Sequence, residues 1–99
     1  MDGYMLEGNT LKVTMDLDLD ADAMFSEACD ALLSTSDEVV YLDLTEVGFI
    51  GSAFFGQMFT LNYRIKKQER KLILRVPAKL MSIMELLGLP QLIDVEVIE

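Results

Sequence analysis

Ninety-nine residues, 52% of them hydrophobic, are enough for one domain with its own core, spanning residues 1–99. The formal charge of −9 is uneven, because residues 1–50 carry 12 acidic side chains and one basic one, whereas residues 51–99 carry 5 and 7. Phosphate backbones are bound by clustered Lys and Arg, so this balance argues against nucleic-acid binding, and an anionic membrane would repel the acidic half.

No apolar run approaches the roughly 18 residues of a transmembrane helix, and no basic segment followed by an apolar stretch marks a signal peptide. We therefore expect no membrane insertion. The single cysteine, Cys29, cannot form an internal disulfide, and its place in an apolar helical pattern predicts burial. These features favour a reducing, cytoplasmic location.

The chain begins with two strand candidates joined by a turn. Residues 4–7 and 11–15 predict short strands, and Gly8-Asn9 between them indicates a hairpin. In the second strand apolar residues alternate with Lys12 and Thr14, which is typical of a half-buried strand.

Four aspartates alternate with apolar residues after this hairpin, namely Asp16, Asp18, Asp20 and Asp22. With Glu27 they resemble part of an EF-hand loop, but Ala21 stands where the sharp turn of that loop requires glycine. We therefore expect neither calcium nor another metal or cofactor. The segment is interpreted as a strand-to-helix loop in which Asp20 or Asp22 caps the next helix.

A helix and a buried strand follow this acidic loop. Apolar spacing predicts the helix over 21–33, and residues 34–37 read as a polar loop. A short apolar run that is β-branched at its start then predicts a buried strand, with Val39, Val40, Leu42 and Leu44. The polar or small residues 45–48 predict a turn.

The segment after this turn centres on Gly51-Ser52. Apolar residues from Phe54 to Ile65 recur at helical spacing, so Ser52 is predicted to be the N-cap of a helix ending near Gln68, with an exposed hydroxyl. Gly51 suggests a backbone of unusual freedom. An anion or phosphate is compatible with such a helix start, although a serine there usually serves only as a cap. The chain contains no histidine, so no Ser-His nucleophile exists, and we expect no enzymatic activity.

The C-terminal third predicts a strand, a helix and a last strand. Residues 72–76 alternate as in a strand, and Pro77 suits the first turn of a helix. Gly88 suits the helix C-terminus, and Pro90 prevents the helix from resuming directly. The predicted order is β-β-α-β-α-β-α-β, ending in a short strand that contains Val95, Val97 and Ile98.

Residues 38–93 resemble a STAS domain of the anti-sigma factor antagonist type. The features that carry the resemblance are Leu42-Asp43-Leu44, Phe49-Ile50, Ser52, Gly56, the Lys66-Lys67 turn, the strand over 72–76, Pro77 and Leu87-Gly88-Leu89. The resemblance implies an α/β fold, with a mixed sheet of four to five strands and three to four helices packed on it. It also implies that the acidic loop, in which Met15-Asp16-Leu17-Asp18 partly matches the family's Gly-Glu-Leu-Asp, abuts the serine loop in space.

Ser52 falls on the serine that is phosphorylated in this family, but its neighbours differ. The family's preceding aspartate is Gly51, its second hydroxyl residue is Ala53, and the following glycine is Phe54. The phospho-acceptor hydroxyl is retained while the residues around it are altered.

Two functions are compatible with this resemblance. The first is a partner-switching regulator that binds an anti-sigma factor or a serine kinase and is controlled by a phosphate on Ser52. The second is a constitutive STAS subunit of a transporter, a lipid-trafficking complex or a sensor assembly. Phe54 or Phe55 would anchor an interface if exposed and would otherwise belong to the core. The predicted partner-binding residues are Asp16, Asp18, Asp20, Gly51, Ser52, Ala53, Phe54 and Phe55, and the oligomeric state is left open.

Overall fold

The computed structural model describes residues 3–99, which form a five-stranded sheet with helices packed on it. The strands are β1 (Tyr4–Glu7), β2 (Thr10–Val13), β3 (Val39–Asp43), β4 (Lys71–Pro77) and β5 (Asp94–Ile98). The α-helices are α1 (Asp22–Leu33), α2 (Ser52–Lys67), α3 (Met81–Leu86) and α4 (Leu89–Leu92). The predicted α/β class and element order are confirmed, and α4 is an additional short helix.

The sheet is mixed, and its strands lie in sequence order. β1 pairs with β2 antiparallel through the predicted hairpin, and the pairs β2–β3, β3–β4 and β4–β5 are parallel. Because the carboxyl ends of parallel strands meet at one edge of a sheet, the segments that follow β2, β3 and β4 emerge together. This edge contains the acidic loop and Ser52.

One face of the sheet forms the core together with the helices. Alternate strand residues point into this core and are fully or almost fully buried, namely Leu11, Val13, Val40, Leu42, Leu72, Leu74 and Val76. The helices complete the core with Phe25 and Leu32 from α1 and Met58 and Ile65 from α2. The two-residue period of the strands and the helical spacing of α1 and α2 thus explain the packing.

The opposite face of the sheet carries alternating charges in register. Lys12, Asp43, Arg75 and Glu96 lie side by side across β2, β3, β4 and β5. Arg75 pairs with Glu96 at 3.0 Å and its guanidinium lies 3.9 Å from the centre of the Tyr41 ring. A hydrogen bond from Lys12 to Glu46, reinforced by the charge of Glu46, raises the pKa of Lys12. Within this row the two positive and two negative charges balance one another.

Several predicted boundaries differ from the structure. α1 begins at Asp22 after a short 3₁₀ turn over Leu19–Ala21, and β2 ends at Val13. Pro77 closes β4 instead of opening a helix, since its extended ψ of 152° places it ahead of the 3₁₀ turn Ala78–Leu80. Gly88 adopts the left-handed conformation, with φ 74°, and Pro90 occupies the first turn of α4, where a missing N–H is tolerated.

Cys29 is buried, as predicted, and burial raises the pKa of its thiol to about 12 from an ordinary 9.0, with a further contribution from the Asp30 carboxylate. As the pH rises, the thiol therefore ionises in the unfolded chain before it ionises in the folded one. The contribution of the neutral thiol to the free energy of unfolding is fully present below about pH 9 and declines towards pH 12.

We predict that the free energy of unfolding of the wild type falls more steeply than that of Cys29→Ala as the pH rises from about 8 to about 10.5. Chemical denaturation of both proteins across this range measures the difference, and the shared titration of Lys and Tyr cancels in the comparison. Parallel pH profiles would show that the thiol ionises equally easily in the folded and unfolded chains.

Candidate functional site

A backbone bridge joins the acidic loop to the serine loop. Leu17 and Ile50 form an isolated parallel β-bridge beyond the ends of β2 and β3. The amide of Leu17 donates to the carbonyl of Phe49 at 2.9 Å, and the amide of Gly51 donates to the carbonyl of Leu17 at 2.7 Å. The expected contact between the two loops is thus present, and both side chains of the bridge are buried.

Three aspartates of the acidic loop hold polar groups of the structure in place. An Asp16 carboxylate oxygen accepts from the amide of Gly48 at 2.8 Å, which fixes the turn ahead of Ile50. Asp18 accepts from the amide of Asp20 at 3.0 Å and is therefore the cap of the helical segment. The prediction of Asp20 or Asp22 as the cap is wrong, since Asp22 lies within α1 and accepts from the side chain of Gln57 at 2.7 Å.

Ser52 is the first residue of α2, and Gly51 is its N-cap. The predicted capping role of Ser52 is therefore wrong by one position, and no side chain caps this helix. The exposure of Ser52 agrees with the prediction. Its hydroxyl lies in the first turn of α2, where the free backbone N–H groups and the helix dipole favour negative charge.

Gly51 has an ordinary backbone conformation, with φ −67° and ψ 150°, so the predicted unusual freedom is not used. Its packing explains the small residue better. A Cβ atom at this position would lie 3.3 Å from the carbonyl oxygen of Leu17 and 3.6 Å from the Phe54 ring. A side chain here would press against the bridge between the two loops.

Phe54 and Phe55 are each only 4% exposed, so neither is an exposed interface anchor. The Phe54 ring packs edge-on against Phe25 of α1, with ring centres 5.6 Å apart. The sequence pattern left the core and the interface open for both residues, and the structure places them in the core. Phe54 still forms part of the floor of the cleft described next.

The exposed apolar side chains beside Ser52 are Leu19 and Phe49, neither of which belongs to the predicted set of site residues. Leu19 is 96% exposed and Phe49 is 54% exposed. They border a mostly apolar cleft of about 430 Å³, here called the Ser52 cleft, which is lined by Asp18, Leu19, Phe49, Gly51, Ser52, Ala53 and Phe54. The cleft brings Asp18, Gly51, Ser52, Ala53 and Phe54 of the predicted set together. The other three lie outside its lining: Asp16 is bonded to the turn at Gly48, Asp20 is exposed on the 3₁₀ turn, and Phe55 is in the core.

Over the described residues 3–99, no group of three or more His, Cys, Asp or Glu side chains is arranged to hold a metal ion. In the same range, no helix is long and apolar enough to cross a membrane. What distinguishes the site is an exposed hydroxyl at a helix start beside an apolar cleft.

The comparison with protein families identifies the fold family. A family model described as "Mlab, STAS domain" matches residues 5–94. The chain belongs to the STAS domain family.

No curated protein matches the chain significantly. This STAS domain is similar in structure to a protein from Thermotoga maritima that is proposed to be an anti-sigma factor antagonist, with a TM-score of 0.76 and 16% sequence identity. The similarity covers 97% of this chain and 85% of the other, and at this identity it supports the fold alone.

We predict that Ser52→Ala changes the free energy of unfolding by less than about 0.5 kcal/mol, because the Ser52 side chain makes no capping hydrogen bond. The matched variant Asp18→Ala removes a real cap and should destabilise the STAS domain by about 1 kcal/mol. Urea denaturation of both variants tests this, and a loss of about 1 kcal/mol in Ser52→Ala would restore the capping role.

We also predict that the acidic loop does not bind calcium at micromolar concentrations, because Asp16 and Asp18 are committed to backbone amides and the loop lacks the EF-hand turn. Isothermal titration calorimetry with calcium chloride is the measurement. A saturable heat with a micromolar dissociation constant that disappears in Asp18→Asn would contradict it.

Proposed function

We propose that this STAS domain is a non-enzymatic regulatory module that binds a protein partner over the Ser52 cleft and is switched by phosphorylation of Ser52. The partner class that the family resemblance implies is an anti-sigma factor or a serine kinase of the switch type. The observation that carries the proposal is that exposed Ser52 lines one cleft with two exposed apolar side chains, Leu19 and Phe49.

Apolar side chains as exposed as Leu19 and Phe49 suit a contact that removes them from water. Burying such side chains contributes about 1.5 to 3 kcal/mol each, before the entropy of association is subtracted. The acidic loop beside them favours a partner with a basic surface, because complementary charge increases the rate of encounter and orients the partner. Loops held on a rigid sheet are common recognition sites.

A phosphate on Ser52 would affect the fold and the interface differently. It adds a charge of about −1.5 to −2 and three acceptor oxygens. The N-terminus of α2 would stabilise this charge by roughly 0.3 to 1 kcal/mol at an exposed position, which offsets repulsion by the nearby aspartates. Within a partner interface, the same charge would sit in the apolar Ser52 cleft and would have to lose its water. The fold is therefore expected to tolerate the phosphate and the interface to reject it.

A constitutive STAS subunit of a transporter, lipid-trafficking complex or sensor assembly is the second candidate. Gly51, Ala53 and Phe54 replace the residues that surround the phosphorylated serine in switching relatives, and the mostly apolar lining of the Ser52 cleft suits docking without a phosphate. In this function the partner would occupy the same surface permanently. The two candidates therefore differ in the role of Ser52 and not in the place of docking.

We predict that Ser52→Asp keeps the melting temperature within a few degrees of the wild type and weakens partner binding at least about tenfold, or 1.4 kcal/mol. Ser52→Ala should bind as the wild type does. Ser82→Asp is the matched control, since Ser82 is also exposed and lies in the first turn of α3. Quantitative pull-downs with the four proteins measure recovery of the partner.

Leu19→Asp completes this experiment, because it places a charge at the cleft without touching Ser52. One outcome would remove the switch and support the constitutive subunit: the wild type, Ser52→Ala and Ser52→Asp recover the partner equally, while Leu19→Asp loses it. Equal recovery by all variants, including Leu19→Asp, would contradict docking at the Ser52 cleft.

A further inference from the structure

Gly56 lies inside α2, where neither the backbone nor the packing of this chain requires glycine. Its φ is not positive, and a Cβ atom built on it would have no neighbour within 4 Å. Glycine destabilises a helix interior relative to alanine. Glycine is useful at such a position where another molecule approaches the helix backbone closely, so Gly56 directs attention to the surface above it.

That surface is a groove between α1 and α2. It has a volume of about 450 Å³ and is here called the α1–α2 groove, with Ser26, Cys29, Ala53, Gly56 and Thr60 among its lining residues. The side-chain pair Asp22–Gln57, at 2.7 Å, connects the two helices, and a second connection is made by Asp30 and Arg64 at 3.5 Å. Ala53 lines both this groove and the Ser52 cleft, so the two depressions adjoin.

The charges along the groove are asymmetric. The two charged residues that line the groove, Asp30 and Arg64, are paired with each other at its far end. At the end that adjoins the Ser52 cleft, Asp18 lines the cleft and Asp22 begins α1 with the neutral Gln57 as its side-chain partner. A partner is therefore complementary when its basic side chains lie at the cleft end of the groove.

We propose that one amphipathic α-helix of the protein partner occupies the Ser52 cleft and the α1–α2 groove together. Its apolar side chains contact Leu19 and Phe49, its backbone passes close to Gly56, and Lys or Arg at its cleft end face Asp18 and Asp22. This inference rests on the proposed docking at the Ser52 cleft. It specifies the partner's secondary structure, polarity and charge.

A helix suits this surface better than the alternatives. The surface lies between two helices, where packed helix axes are about 8 to 10 Å apart and small residues allow the closest approach. An added strand would need a free sheet edge, which here belongs to β1 or β5. A second copy of this chain is a poorer occupant, because two chains that each carry −9 repel one another.

Defined peptides test this inference without knowledge of the partner. The probe is a fluorescently labelled amphipathic helix of about four turns with leucines on one face and lysines along the other. Its controls are an isomer of identical composition with the periodicity scrambled, and an analogue with glutamate in place of lysine. We expect the first peptide to bind at least about tenfold more tightly than either control, with an affinity that falls as salt is added.

Gly56→Gln is the decisive variant. It fills the groove without changing charge, and it should raise the melting temperature because glutamine is the better helix former. We expect it to weaken binding of the amphipathic peptide at least about tenfold, whereas Ser82→Gln on α3 should leave binding unchanged. Amide shifts of the labelled STAS domain on peptide addition should cluster at Ala53, Gly56 and Thr60.

Three results would each contradict the inference. The amphipathic peptide does not bind the domain, its scrambled isomer binds equally well, or Gly56→Gln binds the amphipathic peptide as tightly as the wild type does. Comparison with Leu19→Asp separates its failure from that of the proposed function. If only Leu19→Asp loses binding of the peptide, the helix does not occupy the α1–α2 groove, and docking at the Ser52 cleft stands. If only Gly56→Gln loses binding of the peptide, the groove binds the helix, and the Ser52 cleft does not take part.

Discussion

The β-bridge between Leu17 and Ile50 is the contact on which the candidate site depends. Two short backbone hydrogen bonds continue the parallel pairing of β2 and β3 past the ends of both strands. They bring the acidic loop, which follows one strand, against the serine loop, which follows the other. Because backbone groups make this contact and both side chains are buried, the loops are held rigidly while their flanking residues face the solvent.

This rigid edge presents an unusual combination of groups. Leu19 and Phe49 are exposed to the solvent at the cleft that Ser52 lines, and Ser52 begins a helix that has no side-chain cap. The acidic loop supplies negative charge, although Asp16 and Asp18 also hold backbone amides and therefore contribute to the structure of the edge. The opposite face of the sheet, with its balanced row of Lys12, Asp43, Arg75 and Glu96, lacks this combination. The asymmetry favours the Ser52 edge as the place of recognition.

Much of this architecture could be predicted from the sequence, because each main element has a clear period. Apolar and polar residues alternate in β2 and β4, and apolar residues recur at helical spacing in α1 and α2, so these elements could be identified. The order of the motifs along the chain identified the family. Boundaries were less accurate, since they depend on a single residue. Ser52 and Gly51 are both acceptable N-caps, and only the extended ψ of Gly51 shows which of them precedes the helix.

The details of the site were predicted least well, because they depend on tertiary contacts. Phe54 and Phe55 lie at the start of an amphipathic helix, where the pattern is compatible with either core or surface. Phe54 is buried because Phe25 of α1 meets it edge-on. Leu19 alternates with aspartates, as a buried strand residue would, yet it belongs to a 3₁₀ turn that faces the solvent. Such exposure is a property of the packed chain and not of local spacing.

Site-specific photo-crosslinking in living cells tests the central claim, docking at the Ser52 edge, most directly. A photoreactive amino acid is placed at Phe49, which is 54% exposed at the cleft, and separately at Met5, which is 49% exposed and lies on the opposite face of the sheet. The account predicts a discrete crosslinked protein from position 49 and none from position 5. A crosslinked partner from position 5 with none from position 49 would show that the partner binds the opposite face of the sheet.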